Sequence, residues 1–291
     1  MDRIKKALEQ AERDRGKRVE EVRSSSVEAV DSAVLAAPPK AREVPEPKPM
    51  PVQDLTNVQY RRTKVIDVSP ETLEKNRLVT AIPEHELTDA YRILRTRVLQ
   101  AMNANRWNAL AITSPATGCG KSLTSINLAI SLAREVNRTV LLADFDLRSP
   151  SIHTYFNYEP ELGLSDYLFN DASLEDMLFS PSVDRLVVLP GRESVHNSSE
   201  MLRSPRMISL VDELKKRYSE RLVIFDLPPI LAVDDALAFA PYTDAMLMVA
   251  ENGATQKEDL ETALKVLKDT PLIGTVLNKS DAPYSRYKYK R

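Results

Sequence analysis

An α/β domain built on a doubly wound, mostly parallel sheet is what this sequence predicts, and three observations predict it. Short apolar runs alternate with amphipathic helical stretches from residue 84 onward, the pattern of strands joined by crossover helices. Two of those runs, Thr139–Asp146 and Leu222–Asp226, end in carboxylates, as buried parallel strands do where their C-terminal ends face a ligand crevice. A third, Leu110–Ile112, passes through a small-residue loop, Thr113–Gly120, into a helix opened by Lys121 and Ser122.

That loop suits a phosphate. A loop feeding a helix N-terminus aims backbone N–H groups and the positive end of the helix dipole at one spot. Gly118 and Gly120 let the backbone approach without a Cβ in the way. Lys121 adds a mobile cation for β- and γ-phosphates, and the Ser122 hydroxyl can ligate Mg²⁺. The stretch SPATGCGKS carries Pro115 where the P-loop template G-x-x-x-x-G-K-[ST] has glycine. A strand–turn–helix that merely contains GKS is the plain alternative, and the carboxylate motifs downstream weigh against it.

Composition sets bounds. The chain has 291 residues, 43% hydrophobic and 28% charged, with a formal net charge of −2. That permits one large α/β domain with or without an extension, and gives no case for nucleic acid as the main partner. No apolar run approaches the roughly 18–20 residues needed to span a bilayer, and MDRIKKALEQ lacks a signal-peptide core. The single cysteine, Cys119, lies in the phosphate loop and excludes an internal disulfide, which suits a reducing cytosol.

Residues 1–23 form the first segment, a short amphipathic helix with Ile4, Ala7, Leu8 and Ala11 on one face. It docks on a partner or frays, because such a stripe cannot be buried alone. Residues 24–82 read as a linker and transition, with six prolines from Pro38 to Pro51 and no aromatic residue before Tyr60. The third segment, 83–281, is the folded domain. It opens with a helix from Glu84 on which Leu87, Tyr91, Leu94, Val98 and Met102 recur at helical spacing. Arg92, Arg95 and Arg97 decorate that helix and read by periodicity as a solvated face.

Within Thr139–Asp146, Asp144 and Asp146 point the same way along an extended chain. Beside a phosphate loop, two such carboxylates can share a metal and a proton. A helical excursion is expected over Gly163–Leu178, then a strand at Leu186–Leu189. A helix follows, capped by Ser204 with Pro205 at its first position and running through Arg217. LVIFDLPP forms the next core strand, stopped by Pro228 and Pro229. It has the Walker B pattern, in which Asp226 helps hold Mg²⁺. Strand Ala245–Ala250, helix Lys257–Lys268 and strand Leu272–Leu277 close the domain. In the last segment, 282–291, Tyr284, Tyr287 and Tyr289 alternate with basic residues. That tail is a solvated segment, a stacking surface for single-stranded nucleic acid, or a set of tyrosines that are themselves substrates.

SPATGCGKS, VLLADFDLR and LVIFDLPP in this order, with a terminal tyrosine cluster, resemble the bacterial P-loop protein-tyrosine kinases (BY-kinases). The likeness is to the tyrosine autokinases associated with exopolysaccharide export. GLSDYL, NSSEMLRSP and VLNKSD are similar too, and the resemblance covers roughly residues 84–291. It implies a P-loop NTPase fold and an ATP- and Mg²⁺-dependent kinase that phosphorylates tyrosines. Thr117, Gly118, Cys119, Gly120, Lys121, Ser122 and Leu123 then bind ATP phosphates, and Asn278 contacts the adenine. Ser122 and Asp226 hold Mg²⁺ with support from Asp146, while Asp144 accepts the tyrosine proton. Asp89, Arg92 and Arg95 stand for the family's E-x-x-R-x-x-R oligomerisation motif, with aspartate in place of glutamate. A ring of subunits follows, with Tyr284, Tyr287 and Tyr289 phosphorylated in trans. So does a separate membrane-spanning activator holding the chain at the inner face of the plasma membrane.

Two other readings stand beside the kinase. One is a relative of the septum-positioning and partition ATPases, whose signature lysine position holds Ala116 here. The other is a non-catalytic scaffold ordered by nucleotide. The kinase chemistry is coherent on its own terms, since phosphoryl transfer asks mainly for in-line positioning and cations on the γ-phosphate.

Overall fold

Residues 63–135, 138–218 and 220–280 are described in the computed structural model of the chain. The N-terminal helix, most of the linker and the three tail tyrosines anticipated above lie outside them.

Strand β1 (Lys64–Val65) and helix α1 (Pro70–Lys75, capped by Ser69) come first, so the described fold begins within the stretch read from sequence as transitional. Leu78 is fully buried. Thr80 donates its N–H to Asn127 Oδ1 at 3.0 Å, tying this segment to the helix after the phosphate loop. Helix α2 (Thr88–Asn105) buries Val98 and Met102. It ends at Arg106 with a left-handed φ of 58°. Leu87, counted with the apolar stripe in the sequence, precedes the helix and is half exposed.

Strand β2 (Ala109–Thr113) leads through the loop to α3 (Lys121–Ala133), and β3 (Thr139–Asp144) follows. A short helix not anticipated from the sequence, α4 (Ile152–Tyr155), comes next, and the helical excursion expected over Gly163–Leu178 resolves into α5 (Leu164–Asn170) and α6 (Leu174–Met177). Strands β4 (Phe179–Ser180) and β5 (Leu186–Leu189) precede α7 (Ser198–Leu202) and α8 (Pro205–Lys216). As expected, Ser204 caps α8, accepting the Met207 N–H at 3.2 Å. Strand β6 (Arg221–Asp226), α9 (Asp235–Phe239), β7 (Ala245–Glu251), α10 (Lys257–Val266) and β8 (Leu272–Asn278) complete the order.

The sheet runs β1-β4-β5-β3-β6-β2-β7-β8, and all pairs are parallel except β4 with β5. The alternation of strand side chains splits the core in two. Leu110, Ile112, Val140 and Leu142 face α3 together with Ile126 and Ile130. Ala109, Ala111, Leu141 and Ala143 face the other layer with Leu210 and Leu214 of α8. Both faces are covered, so the central strands read as unbroken apolar runs. That is the doubly wound sheet the sequence predicts.

Candidate functional site

The order of the central strands brings the phosphate loop and the carboxylates together. β2 lies beside β6, and β6 beside β3, so the loop after β2 and the ends of β6 and β3 meet at one edge. Thr113 Oγ1 donates to the Pro228 carbonyl at 2.7 Å, and Ile230 N–H donates to the Ser114 carbonyl at 2.9 Å. These bonds tie the base of the loop to the segment after β6.

Gly118 and Gly120 have left-handed φ values of 81° and 84°, which glycine alone adopts without strain. A Cβ on Gly120 would come within 2.2 Å of Asn278 Nδ2. Asn278 donates that amide to the Cys119 carbonyl at 2.9 Å. The residue assigned to adenine by resemblance therefore also shapes the loop. Cys119 is buried with its thiol 3.7 Å from Thr255 Oγ1. Leu123 is half-buried against the α3-side core, and Thr117 and Gly118 are exposed to the pocket.

Lys121 Nζ lies 2.8 Å from Asp146 Oδ2 and 3.4 Å from Asp226 Oδ2. Burial works against its charge, but Asp226 and Asp146 outweigh burial and raise its pKa. Ser122 Oγ donates to Asp226 Oδ2 at 2.6 Å, and Ser125 Oγ lies 2.9 Å from Asp226 Oδ1. Both oxygens of Asp226 are thus engaged, although burial still raises its pKa. Ser125 was missed in the sequence, where its signal is its place one helical turn beyond Lys121.

Asp144 is fully buried next door. Its Oδ2 accepts the N–H groups of Ser151 and Ile152 at 2.8 and 2.9 Å, while Oδ1 has no hydrogen-bond partner among the described residues. Burial, reinforced by Asp226, pushes its pKa up to about 7. Aromatic packing holds these carboxylates in place from the other face of the sheet. The rings of Phe145, Phe225 and Phe239 form a triangle with centroids 4.8, 5.0 and 4.9 Å apart.

A cavity of about 420 Å³ opens over this arrangement, bounded by the phosphate loop, Asp146, Arg148, Tyr155 and Pro229. Burial, helped by Asp226, raises the Tyr155 phenol pKa. No group of three His, Cys, Asp or Glu side chains forms a metal cage among the described residues. The site instead offers hard oxygens, Ser122 Oγ and the Asp226 and Asp146 carboxylates, around a point where Lys121 now places a cation. Such a set fits Mg²⁺ completed by water and phosphate oxygens.

The expected Asp89, Arg92 and Arg95 trio is divided. Asp89 and Arg92 pair with each other at 2.8 Å on the exposed face of α2. Arg95 turns inward, 3.0 Å from Glu135 and 3.2 Å from the Ser131 carbonyl. Among the described residues no helix is long and apolar enough to cross a membrane.

Known proteins are similar to this chain in sequence and fold. Residues 110–290 match the CobQ/CobB/MinD/ParA nucleotide binding domain. The chain is 34% identical over 220 residues to the tyrosine-protein kinase YwqD of Bacillus subtilis, covering 75% of this chain and 92% of YwqD. It is 28% identical over 226 residues to the succinoglycan biosynthesis transport protein ExoP of Rhizobium meliloti, covering 76% of this chain but 28% of ExoP. The kinase domain of the Escherichia coli tyrosine kinase ETK superposes with a TM-score of 0.64 at 28% identity, covering 78% of this chain and 94% of that domain. With the phosphate loop, both carboxylate strands and nearly the whole length of YwqD accounted for, the chain belongs to the bacterial P-loop tyrosine-protein kinases.

Proposed function

We propose that this chain transfers the γ-phosphoryl group of ATP to the hydroxyls of Tyr284, Tyr287 and Tyr289 on a neighbouring copy, and that this cycle regulates exopolysaccharide synthesis or export. The observation that carries the reading is the convergence of Lys121, Ser122, Asp146 and Asp226 within 3.4 Å contacts at the foot of one pocket, with Asp144 beside them. Kinship with YwqD supports the chemistry, and the name of ExoP supports the polysaccharide setting.

In this reading the backbone of Thr117–Ser122 and the α3 N-terminus cradle the phosphates. Lys121 leaves Asp146 for the γ-phosphate. Ser122 and Asp226 would hold Mg²⁺, with Asp146 supporting them. Such an ion would supply positive charge to offset the negative charge of the phosphates. Ser125 holds the other oxygen of Asp226, Oδ1. Asp144 takes the proton of the attacking phenol. Its raised pKa matches a proton acceptor for neutral conditions, and its two backbone bonds hold it in one orientation. Asn278 supports the loop and, by resemblance, the adenine. Asp89 and Arg92 are the exposed groups available for a subunit contact, and a membrane-spanning partner would hold the chain at the inner face of the plasma membrane.

The test incubates the purified full chain with Mg·ATP and maps phosphotyrosine by mass spectrometry, with Lys121→Met as control. Label on the three tail tyrosines in the wild type alone is the expected result. A folded wild type that binds Mg·ATP and never acquires phosphotyrosine would sink the reading.

A further inference from the structure

Arg148 lines the same pocket, two residues beyond Asp146, and the proposed chemistry leaves it without a task. Its side chain is 41% exposed, on the wall shared with Lys121, Ser149 and Tyr155. Its backbone is pinned. The Arg148 carbonyl accepts Ser194 Oγ at 2.9 Å, and the Leu147 carbonyl accepts the Val195 N–H at 2.8 Å.

The guanidinium is gripped along one edge. Nε and Nη2 both donate to Asp235 Oδ1, at 3.3 and 3.4 Å. Asp235 is fully buried at the start of α9. That short helix also carries Phe239, the third ring of the triangle under Asp144, Asp146 and Asp226. Asp235 is therefore fixed to the same hub as the reacting carboxylates.

The pair is poorly built for stability alone. An arginine fork that met a carboxylate for stability would engage both oxygens. Here Oδ2 has no hydrogen-bond partner among the described residues, and a buried carboxylate so placed carries an uncompensated desolvation cost. The grip does leave Nη1 and one hydrogen of Nη2 directed elsewhere on a fixed guanidinium. Lys121 is meanwhile already within reach of two carboxylates.

We propose that Arg148 contacts the phosphoryl group as it is transferred, and that Asp235 is the positioning residue that aims it. The inference rests on the kinase reading. In the step, the tyrosine oxygen forms a bond to phosphorus while the bond to the bridging oxygen of ADP breaks, its electron pair leaving on ADP. The phenolic proton passes to Asp144. Charge spreads over three equatorial oxygens, and the free N–H groups of Arg148 are suited to two of them.

The test uses full chains carrying Arg148→Gln, Arg148→Lys, Asp235→Asn and the Arg148→Gln/Asp235→Asn pair. Phosphotyrosine formation at saturating Mg·ATP, the Kd for Mg·ADP and the melting temperature are measured. Arg148→Gln should lower kcat by about 100-fold or more while the Kd for Mg·ADP, which lacks the γ-phosphate, moves less than about threefold. Arg148→Lys should restore roughly tenfold of that loss. Asp235→Asn should lower kcat by about tenfold alone and add nothing to Arg148→Gln, the mark of two residues acting as one. Should Asp235→Asn fail to fold, Asp235→Glu takes its place in the same comparison. Wild-type kcat in a folded Arg148→Gln chain overturns the inference, as do parallel losses of kcat and Mg·ADP affinity, or additive losses in the pair. In each of those cases an active wild type leaves the kinase reading standing. An inactive wild type overturns both.

Discussion

Asp144 and Asp226 are register partners on the adjacent parallel strands β3 and β6, and both are fully buried. Two carboxylates on one rung of a sheet cannot both ionise cheaply. The fold answers with asymmetry. Asp226 has Lys121 and two serine hydroxyls around it, whereas Asp144 has two backbone N–H groups on one oxygen and, among the described residues, no partner on the other.

The first prediction is that Asp144→Asn stabilises the protein when nucleotide and metal are absent. Asp144 is pushed up to about 7 from an ordinary value of 3.8. As pH rises through that window the unfolded chain releases the proton first while the fold retains it, so the wild type loses stability between about pH 4 and 7 and then levels off. Asparagine preserves an oxygen for the Ser151 and Ile152 N–H groups and carries no charge. Its advantage should grow across the window and reach on the order of 2–4 kcal/mol by pH 8. Denaturant unfolding in chelator at pH 4.5 and pH 8 measures it. A variant less stable than wild type at pH 8 would refute the asymmetry.

Ser125→Ala tests the grip on Asp226. The serine touches neither pocket nor loop backbone beyond its own helix, but it holds the oxygen that Ser122 does not. Removing it should weaken Mg·ADP binding by roughly tenfold, as loss of an outer partner does at other metal sites, with the fold retained. Calorimetric titration decides. Unchanged affinity would mean that Ser122 and the strand position Asp226 unaided.

Lys121→Met should abolish phosphotyrosine formation, a loss of at least about 100-fold from removing one preorganised cation. It should also cost stability at pH 8 by about 1–3 kcal/mol, because Asp146 and Asp226 lose their counter-charge. The lysine pKa is raised, so its contribution is fully present at neutral pH and disappears only in the alkaline range. The destabilisation should shrink towards pH 5 as Asp226, whose pKa burial raises, takes up a proton. Melting curves at the two values test this, and a pH-independent loss would assign Lys121 a packing role instead.

Much of this was legible because the informative elements are long or chemically loud. The β3 and β6 runs of leucine, valine and isoleucine with terminal aspartates announce buried parallel strands, and GKS at a helix start announces the loop. Strand β1, with two residues paired to Phe179–Ser180, is too short to show a period. Thr80 and Asn127 meet across 47 residues through an amide bond, which no local pattern encodes. Nothing near Asp235 in the sequence marks it, since its meaning depends on Arg148, 87 residues away. Arg95 repeats Arg92 at helical spacing, yet it faces Glu135 because α2 lies along α3.

The last prediction concerns which copy donates the tail. Strand β8 ends at Asn278 beside the phosphate loop, while Asp144 ends β3 and Arg148 lies just beyond it, four places away in the sheet. At roughly 4.7–4.9 Å per strand that is about 19 Å sideways. Tyr284 lies six residues beyond Asn278 and reaches at most about 20–22 Å when fully extended. In cis Tyr284 would have to stretch taut across the bound nucleotide, whereas Tyr287 and Tyr289, nine and eleven residues beyond Asn278, have slack to cross it. A neighbouring copy meets no such limit, and its tail would bring arginine and lysine residues towards an acidic site. Each phosphate then adds about −1.5 to −2 charge, which should drive the modified tail out. The experiment mixes Lys121→Met chains bearing intact tails with active chains in which Tyr284, Tyr287 and Tyr289 are phenylalanine. Phosphotyrosine on the inactive chain, forming at a rate that rises with the concentration of the active one, is the expected outcome. An unlabelled inactive chain, beside wild type that labels at a concentration-independent rate per molecule, would place the transfer within a single copy.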